Sequence, residues 1–277
     1  MYRTGCQRQS VFVWPMQVVV ITGGNSGIGR ATAALFARKG WRVYELSRHL
    51  RAQAEGVTHI DCDVTSETQC RTAIAEVLRQ EQRIDVLISN AGYGISGPVE
   101  FTATADAKAL FDVNFFGALN ITKAVLPQMR AQQGGRILFT SSVAAPLSVP
   151  FQSLYSASKA ALNDLALALQ NEVRPFGIRV GVLMPGDVQT GFTDARQKNT
   201  DEQENQIYSR AKSAVEAMEK DERNGMQPEQ MARLFYRMAT RRYLPAYTVG
   251  GGLYKFFCFL DKVLPKTFVN WIEGAMY

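Results

Sequence analysis

Tyr155 and Lys159 stand four residues apart in a stretch with helical periodicity, so their side chains share one face. A phenol with a pKa of about 10 is a poor base, but a neighbouring ammonium stabilises the phenolate and draws the pKa toward neutrality. There the hydroxyl can exchange a proton with a reacting oxygen. Ser142 follows an apolar run upstream of the pair, and its hydroxyl can hydrogen-bond a carbonyl oxygen as charge develops on it. Together the three describe proton transfer at an alcohol or carbonyl. Singly each is weak, since Y-x-x-x-K spacing recurs on surface helices and Ser-Ser pairs recur at turns. His49 and His59 are the only histidines, which leaves little material for Ser-His triads, imidazole shuttles or histidine metal sites, and no metal is expected.

A second cluster has the composition of a phosphate cradle. Thr22-Gly23-Gly24-Asn25-Ser26-Gly27-Ile28-Gly29 follows the β-branched run Val18 to Ile21 and opens a helical pattern, Gly29 to Lys39, that Gly40 ends. Glycines at such a strand-to-helix turn let backbone amides and the helix N-terminus approach a pyrophosphate. The second strand then ends Tyr44-Glu45-Leu46-Ser47-Arg48. Where an NAD enzyme places a carboxylate on the adenosine 2′-hydroxyl, Ser47 stands, and the Arg48 guanidinium can pair with a 2′-phosphate. NADP(H) is therefore favoured, with NAD(H) as the alternative. Glu45 is expected to point to another face by strand alternation.

These groups need a scaffold, and the pattern supplies one. Strands at Arg42 to Leu46, Val57 to Ile60, Ile84 to Ser89, Arg136 to Thr140 and Ile178 to Leu183 alternate with helices at Glu67 to Gln80, Asp106 to Met129 and Tyr155 to Arg174. Apolar strands separated by helices predict an α/β fold: a doubly wound parallel sheet of the Rossmann type in three αβα layers, with ligands at the carboxyl ends of its strands. After Pro185 a polar stretch, Thr193 to Arg223, lacks strand signals and carries helical spacing at Ile207, Ala211, Val215 and Met218. It reads as a helical lid, about residues 190–226. Another helix is expected over Gln227 to Thr240, and an aromatic-rich segment, Leu244 to Tyr277, ends the chain. Residues 16–277 read as one domain preceded by a dispensable extension, 1–15, with Met16 as an alternative start.

The order of these motifs resembles the short-chain dehydrogenase/reductase family, whose signature is T-G-x-x-x-G-x-G rather than the commoner Rossmann spacing. The resemblance continues through Asp63-Val64 as an adenine contact, Asn90-Ala91-Gly92 as the strand-stabilising N-A-G, and Asn114 as the mid-helix asparagine. It extends over Ser142, Tyr155 and Lys159 as the catalytic set, and over Pro185-Gly186 with Val188 and Thr190 as the segment closing on nicotinamide. It implies that Asn114 anchors a water in a proton relay behind Lys159, and that Lys159 and Tyr155 hold ribose hydroxyls. Lid length and C-terminal stretch look similar to the 17β-hydroxysteroid and retinol dehydrogenase-like branches.

Around the site, Val143, Ala144, Leu147, Val149, Phe151 and Phe192 suit a hydrophobic carbonyl or alcohol substrate of steroid, retinoid or lipid kind. The alternative is a catalytically silent NADP(H)-binding regulator, and a further one an epimerase or enoyl reductase. Of 277 residues 46% are hydrophobic, enough for a large core; the net charge of +6 comes from 31 basic residues scattered among 25 acidic ones, without a nucleic-acid-binding block. No apolar stretch reads as the roughly 18 residues needed to cross a bilayer. Cys6, Cys62, Cys70 and Cys258 show no disulfide framework, consistent with a reducing cytoplasm. Apolar residues on several faces of Phe115 to Met129 and Tyr155 to Arg174 suggest a homodimer or homotetramer. The Phe256 to Leu260 cluster, flanked by Lys255, Lys262 and Lys266, is expected to pack on the body or a partner subunit, a membrane surface being the alternative.

Overall fold

Val18–Thr22 forms β1 and is buried on both faces, as a β-branched run at the centre of a parallel sheet must be. The structure, a computed structural model, describes residues 17–49, 54–198 and 206–276; the residue 1–15 extension and Met16 lie outside them. The main sheet comprises β1, β2 (Arg42–Ser47), β3 (Val57–Asp61), β4 (Val86–Ser89), β6 (Gly135–Thr140), β7 (Ile178–Pro185) and β9 (Tyr247–Gly250), all parallel, in the order β3-β2-β1-β4-β6-β7-β9. The order reverses beside β1, where a doubly wound sheet opens its ligand crevice.

Two cores flank the sheet. On one side α1 (Gly27–Arg38) and α8 (Pro228–Thr240) bury Ala33, Phe36, Phe235 and Met238 against Val19, Ile21 and Val43. On the other, α2 (Glu67–Glu81), α4 (Gly117–Ala131) and α6 (Ser153–Val173) bury Ile74, Ile121, Val125 and Leu162 against Val18, Val20 and Leu87. Successive residues of β1 thus serve opposite cores, which is why the strand reads as continuously apolar.

Several features depart from the sequence reading. The helix expected from Asp106 begins as α3 (Thr104–Phe111), passes through a π-helical turn, Asp112–Phe116, and resumes as α4. The continuous helix Thr104–Ala131 is long and apolar enough by composition to cross a membrane, contrary to expectation. Here its buried residues, Ile121, Val125 and Met129 among them, form part of the sheet's core. The polar stretch after Pro185 does contain a strand: β8 (Gln197–Lys198) pairs in parallel with β5 (Ile95–Ser96), too short a pairing to leave a periodic signal. Its helix, α7 (Ala211–Arg223), buries Ala211, Val215 and Met218, whereas Ile207 lies before it and is exposed. The C-terminal segment folds as β9, α9 (Gly252–Val263) and α10 (Lys266–Met276). The remaining helix, α5 (Ala144–Leu147), is a single turn between β6 and α6.

Phe36 is fully buried and makes edge contacts with Trp41 and Tyr236, at 5.0 and 5.3 Å between ring centroids. Phe36→Ala is expected to destabilise the protein by about 3–5 kcal/mol, read as a lowered denaturant midpoint with an unchanged m-value.

Candidate active site

The turn between β1 and α1 is shaped by what a side chain would strike. Gly23 and Gly27 take φ of +66° and +48°, and a Cβ at Gly29 would lie 2.1 Å from the Gly23 carbonyl oxygen. Only hydrogen lets the chain fold that tightly and still present amides at the start of α1. Thr190 closes over the turn, its Cβ lying 3.2 Å from where a Gly27 Cβ would stand. Thr22 is fully buried and its Oγ1 accepts from the Asn90 and Ala91 amides at 2.9 and 3.1 Å, so it braces the turn from behind. Asn90 Nδ2 donates to the Thr22 and Gly23 carbonyls, and Asn90 Oδ1 accepts from Thr140 Oγ1 at 3.1 Å.

Lys159 is buried on α6, and its Nζ donates to the Thr140 carbonyl at 2.9 Å. Its Nζ also lies 5.8 Å from the Tyr155 ring centroid. Tyr155 hydrogen-bonds Ser142, whose Oγ accepts the Ala144 amide at 3.1 Å. Asn114 sits in the π-helical turn, where its Nδ2 donates to the Tyr93 carbonyl and Ser158 Oγ and its Oδ1 accepts the Tyr93 amide. A Cβ on Gly92 would meet both Asn114 Oδ1, at 2.9 Å, and Lys159 Nζ, at 3.3 Å. Asn114, Gly92 and Lys159 are therefore mutual neighbours.

The electrostatics differ from the sequence expectation. Burial pushes the Tyr155 phenol up to about 12; the Ser142 hydrogen bond opposes this, Glu222 adds to it and Arg196 lessens it. Lys159 does not depress it in this state, because burial has drawn the lysine itself down to about 8 and weakened its hold on a proton. Without ligand the pair is a protonated phenol beside a readily deprotonated amine.

One cavity of about 860 Å³ joins Gly23, Ser26, Gly27, Ile28, Asn90, Ala91 and Gly92 to Ser142, Tyr155, Lys159, Pro185, Gly186, Val188 and Thr190. Asn25, Ser47, Arg48, Asp63 and Val64 do not line it. Asn25 and Ser47 turn to the His49 carbonyl, and Asp63 Oδ1 accepts from the Thr65 amide and hydroxyl. Val64 is a core residue packed on Gly117. Arg48 is exposed, though its charge reaches Tyr93. Glu45 shares the face of Ser47, as residues two apart on a strand must: it is buried against Gly24, ion-pairs with His59 and accepts from Ser47 Oγ. The cradle, the amides at α1 and a guanidinium beyond β2 fit a dinucleotide.

The apolar wall contains Val143, Ala144, Leu147, Val149 and Phe192 as expected, but not Phe151. Phe151 takes φ of +58° at the entry to α6, where its carbonyl accepts the Gly97 amide. Sequence reasoning missed the other half of the wall, Tyr254, Phe257, Leu260, Leu264, Val269 and Ile272 from α9 and α10. Their helical spacing was the available signal. Tyr254 packs over Gly186 and its hydroxyl donates to Asp187. Glu273 also lines the cavity; neither carboxylate oxygen has a hydrogen-bond partner among the described residues, and burial pushes it up to about 7.

A twisted parallel sheet with a glycine cradle and a Ser-Tyr-Lys cluster at its carboxyl edge defines a dinucleotide-dependent oxidoreductase. The family model for short chain dehydrogenase matches residues 17–204, and the chain belongs to that family, an oxidoreductase acting on CH–OH groups. It is 37% identical over 238 residues to the 3-ketodihydrosphingosine reductase of Bacteroides thetaiotaomicron, covering 86% of this chain and 88% of that one. With Dehydrogenase/reductase SDR family member 7B of Bos taurus it shares 38% identity over 64% of this chain and 59% of the relative. A short-chain dehydrogenase structure from Streptomyces avermitilis superposes with a TM-score of 0.79 at 29% identity, covering 94% of this chain and 97% of that one. A Burkholderia phymatum SDR in complex with NAD follows at 0.76 and 25%, with 91% and 96% covered.

Lys159→Met is expected to stabilise the cofactor-free protein at pH 7, by on the order of 1–2 kcal/mol once the lost Thr140 hydrogen bond is allowed for. Burial lowers the Lys159 pKa from 10.5 to about 8, so the unfolded chain binds the extra proton between those values and its advantage is full below pH 8. As pH rises from 8 toward 10.5 the gap in denaturant midpoint should shrink and then reverse, leaving the Met variant the weaker by the lost hydrogen bond. A gap unchanged across that window would remove Lys159 as the titrating group.

Proposed function

We propose that this protein is an NADP(H)-dependent reductase of hydrophobic ketones, and that a long-chain 3-keto lipid of the kind named by the Bacteroides relative is its substrate class. The observation that carries the reading is the cavity in which Ser142, Tyr155 and Lys159 face an apolar wall drawn from Leu147, Val149, Phe192, Met218, Phe257 and Leu260. The cofactor takes the cradle end of this cavity of about 860 Å³, and the apolar end that is left suits a lipid better than a small polar alcohol.

Backbone amides of Gly23 to Gly29 would hold the pyrophosphate, Asn90 to Gly92 would flank the cofactor, Asp63 and the Val64 backbone would meet the adenine, and Pro185, Gly186, Val188 and Thr190 would close on the nicotinamide. Arg48, with Ser47 in place of a carboxylate, favours a 2′-phosphate. When bound, the reduced nicotinamide supplies the hydride that adds to the carbonyl carbon. Ser142 donates a hydrogen bond to the carbonyl oxygen, and Tyr155 delivers its proton to that oxygen as the alcohol forms. A phenol held at about 12 is a proton donor by default, which suits reduction. Lys159, in its ammonium form, stabilises the resulting phenolate and holds ribose hydroxyls, and Asn114 anchors the water through which the proton is replaced. The unpartnered Glu273 carboxyl offers a polar head an acceptor within an otherwise apolar wall. Free Cys62, Cys70 and Cys258 support a cytoplasmic setting, and the outer face of α6, with Ala157, Ala160, Ala161 and Leu165 not fully buried, supports twofold assembly into a homodimer or homotetramer.

Tyr155→Phe should leave NADPH affinity unchanged by calorimetry and lower turnover of 3-ketodihydrosphingosine by about 10²–10⁴-fold, followed at the reduced nicotinamide band. Full retained rate would sink the acid assignment, while tight NADPH binding by the wild type without turnover on any long-chain ketone would favour the silent regulator. Arg48→Ala should weaken NADPH roughly ten- to a hundredfold and leave NADH alone. An unchanged ratio of the two affinities would take Arg48 out of cofactor selection.

A further inference from the structure

Helix α9 is apolar on two sides. Tyr254, Phe257, Leu260 and Leu264 face the cavity at the three- and four-residue spacing of one helical face. Phe256, Phe259 and Val263 repeat that spacing on the outside and stay 55%, 59% and 57% exposed. In α10, Val269 and Ile272 line the cavity, whereas Phe268 and Trp271 stack with ring centroids 6.0 Å apart and remain 47% and 67% exposed. With Leu253, the hairpin carries six of the ten large hydrophobic residues exposed among the described residues, the other four lying elsewhere in the chain. The expectation that the Phe256 to Leu260 cluster packs on the body holds for Phe257 and Leu260 and not for Phe256 or Phe259.

The charges on the hairpin are sorted by face. Lys255 and Lys262 are exposed, whereas Lys266 ion-pairs with Asp261 and donates to the Pro146 carbonyl, and the Asp261 and Glu273 side chains are both largely withdrawn from solvent. The outer surface therefore presents aromatic rings and ammonium groups with no exposed carboxylate, which matches an anionic lipid headgroup layer above an acyl layer. A second copy of this chain meeting the same face about a twofold axis would bring lysines against lysines. Leu253 is both 61% exposed and part of the cavity lining, so the cavity rim lies in this surface.

We propose that the α9–α10 hairpin is a bilayer-docking surface: Phe256, Phe259, Val263, Phe268 and Trp271 enter the headgroup–acyl boundary of an anionic phospholipid membrane, Lys255 and Lys262 engage its phosphates, and the cavity opens against the lipid. Docking is a property of this surface and does not depend on which ketone the enzyme reduces.

The test uses the full chain with vesicles of phosphatidylcholine alone or mixed with phosphatidylglycerol. The protein should co-sediment with the mixed vesicles, with Trp271 emission shifted to the blue and quenched by brominated acyl chains; Trp271→Phe should abolish the quenching. Phe256→Ser with Phe259→Ser should cut the bound fraction about tenfold, and Lys255→Gln or Lys262→Gln should each weaken binding to mixed vesicles roughly fivefold. NADPH binding should persist in every variant as proof of folding. The proposal fails if the wild type ignores both vesicle types, or if Trp271 stays unquenched in the bound protein. It fails equally if the double phenylalanine variant keeps its vesicle binding but loses self-association in sedimentation velocity, which would make the face a contact between copies.

Discussion

Asn90 lies where three strand ends meet, and its side chain joins them: Nδ2 donates to the main chain of Thr22 and Gly23, and Oδ1 accepts from Thr140. The same Thr140 gives its carbonyl to Lys159, and the Thr22 hydroxyl takes the two amides that follow β4. The glycine turn and helix α6 are thus fastened to one another through a few hydrogen bonds at the end of the sheet. Gly29 has no Cβ because the Gly23 carbonyl and the Asn90 amide occupy that space. The position of the cradle relative to Tyr155 follows from this joint.

Burial sets the resting chemistry of the pair. Removing Tyr155 and Lys159 from water raises one pKa and lowers the other, so the phenol stays protonated while the lysine gives up its proton just above neutral pH. The sequence argument treated the ammonium as a fixed charge. Inside a closed pocket the lysine is itself subject to the desolvation that makes a nearby charge effective.

Much of this was readable from residue order. The apolar strands, the glycine turn and the Ser142, Tyr155, Lys159 set lie where periodicity and spacing put them, because each depends on local constraints. What escaped was long-range. The β5–β8 pairing is two residues long and has no period to detect. Strand β9 is half-buried at the sheet edge and sits inside an aromatic segment that masks its alternation. The π-helical turn at Asn114 looks like any helix in sequence, since only its hydrogen-bond ladder differs. Cys62 and Cys70 show no motif spacing, yet their sulfurs are 4.0 Å apart, because a strand end and a helix start were brought together by the fold. Glu45 was misplaced for a simpler reason, in that residues two apart on a strand point the same way.

The placement of β9 constrains how the cavity can open. Because β9 pairs directly with β7 and α8, between them in the chain, packs into the sheet's core, the chain from Pro185 to Pro228 is a loop held at both ends rather than a trailing arm. The lid is also held partway along, where Gln189 and Met226 bond across it and β8 pairs with β5. Such a segment cannot swing away as a rigid flap about one hinge; it can only breathe between its anchors. Its loop-closure entropy grows only as the logarithm of its length, so this stretch is where the chain can gain or lose residues, and change the shape of the chamber, with little disturbance to the sheet beneath.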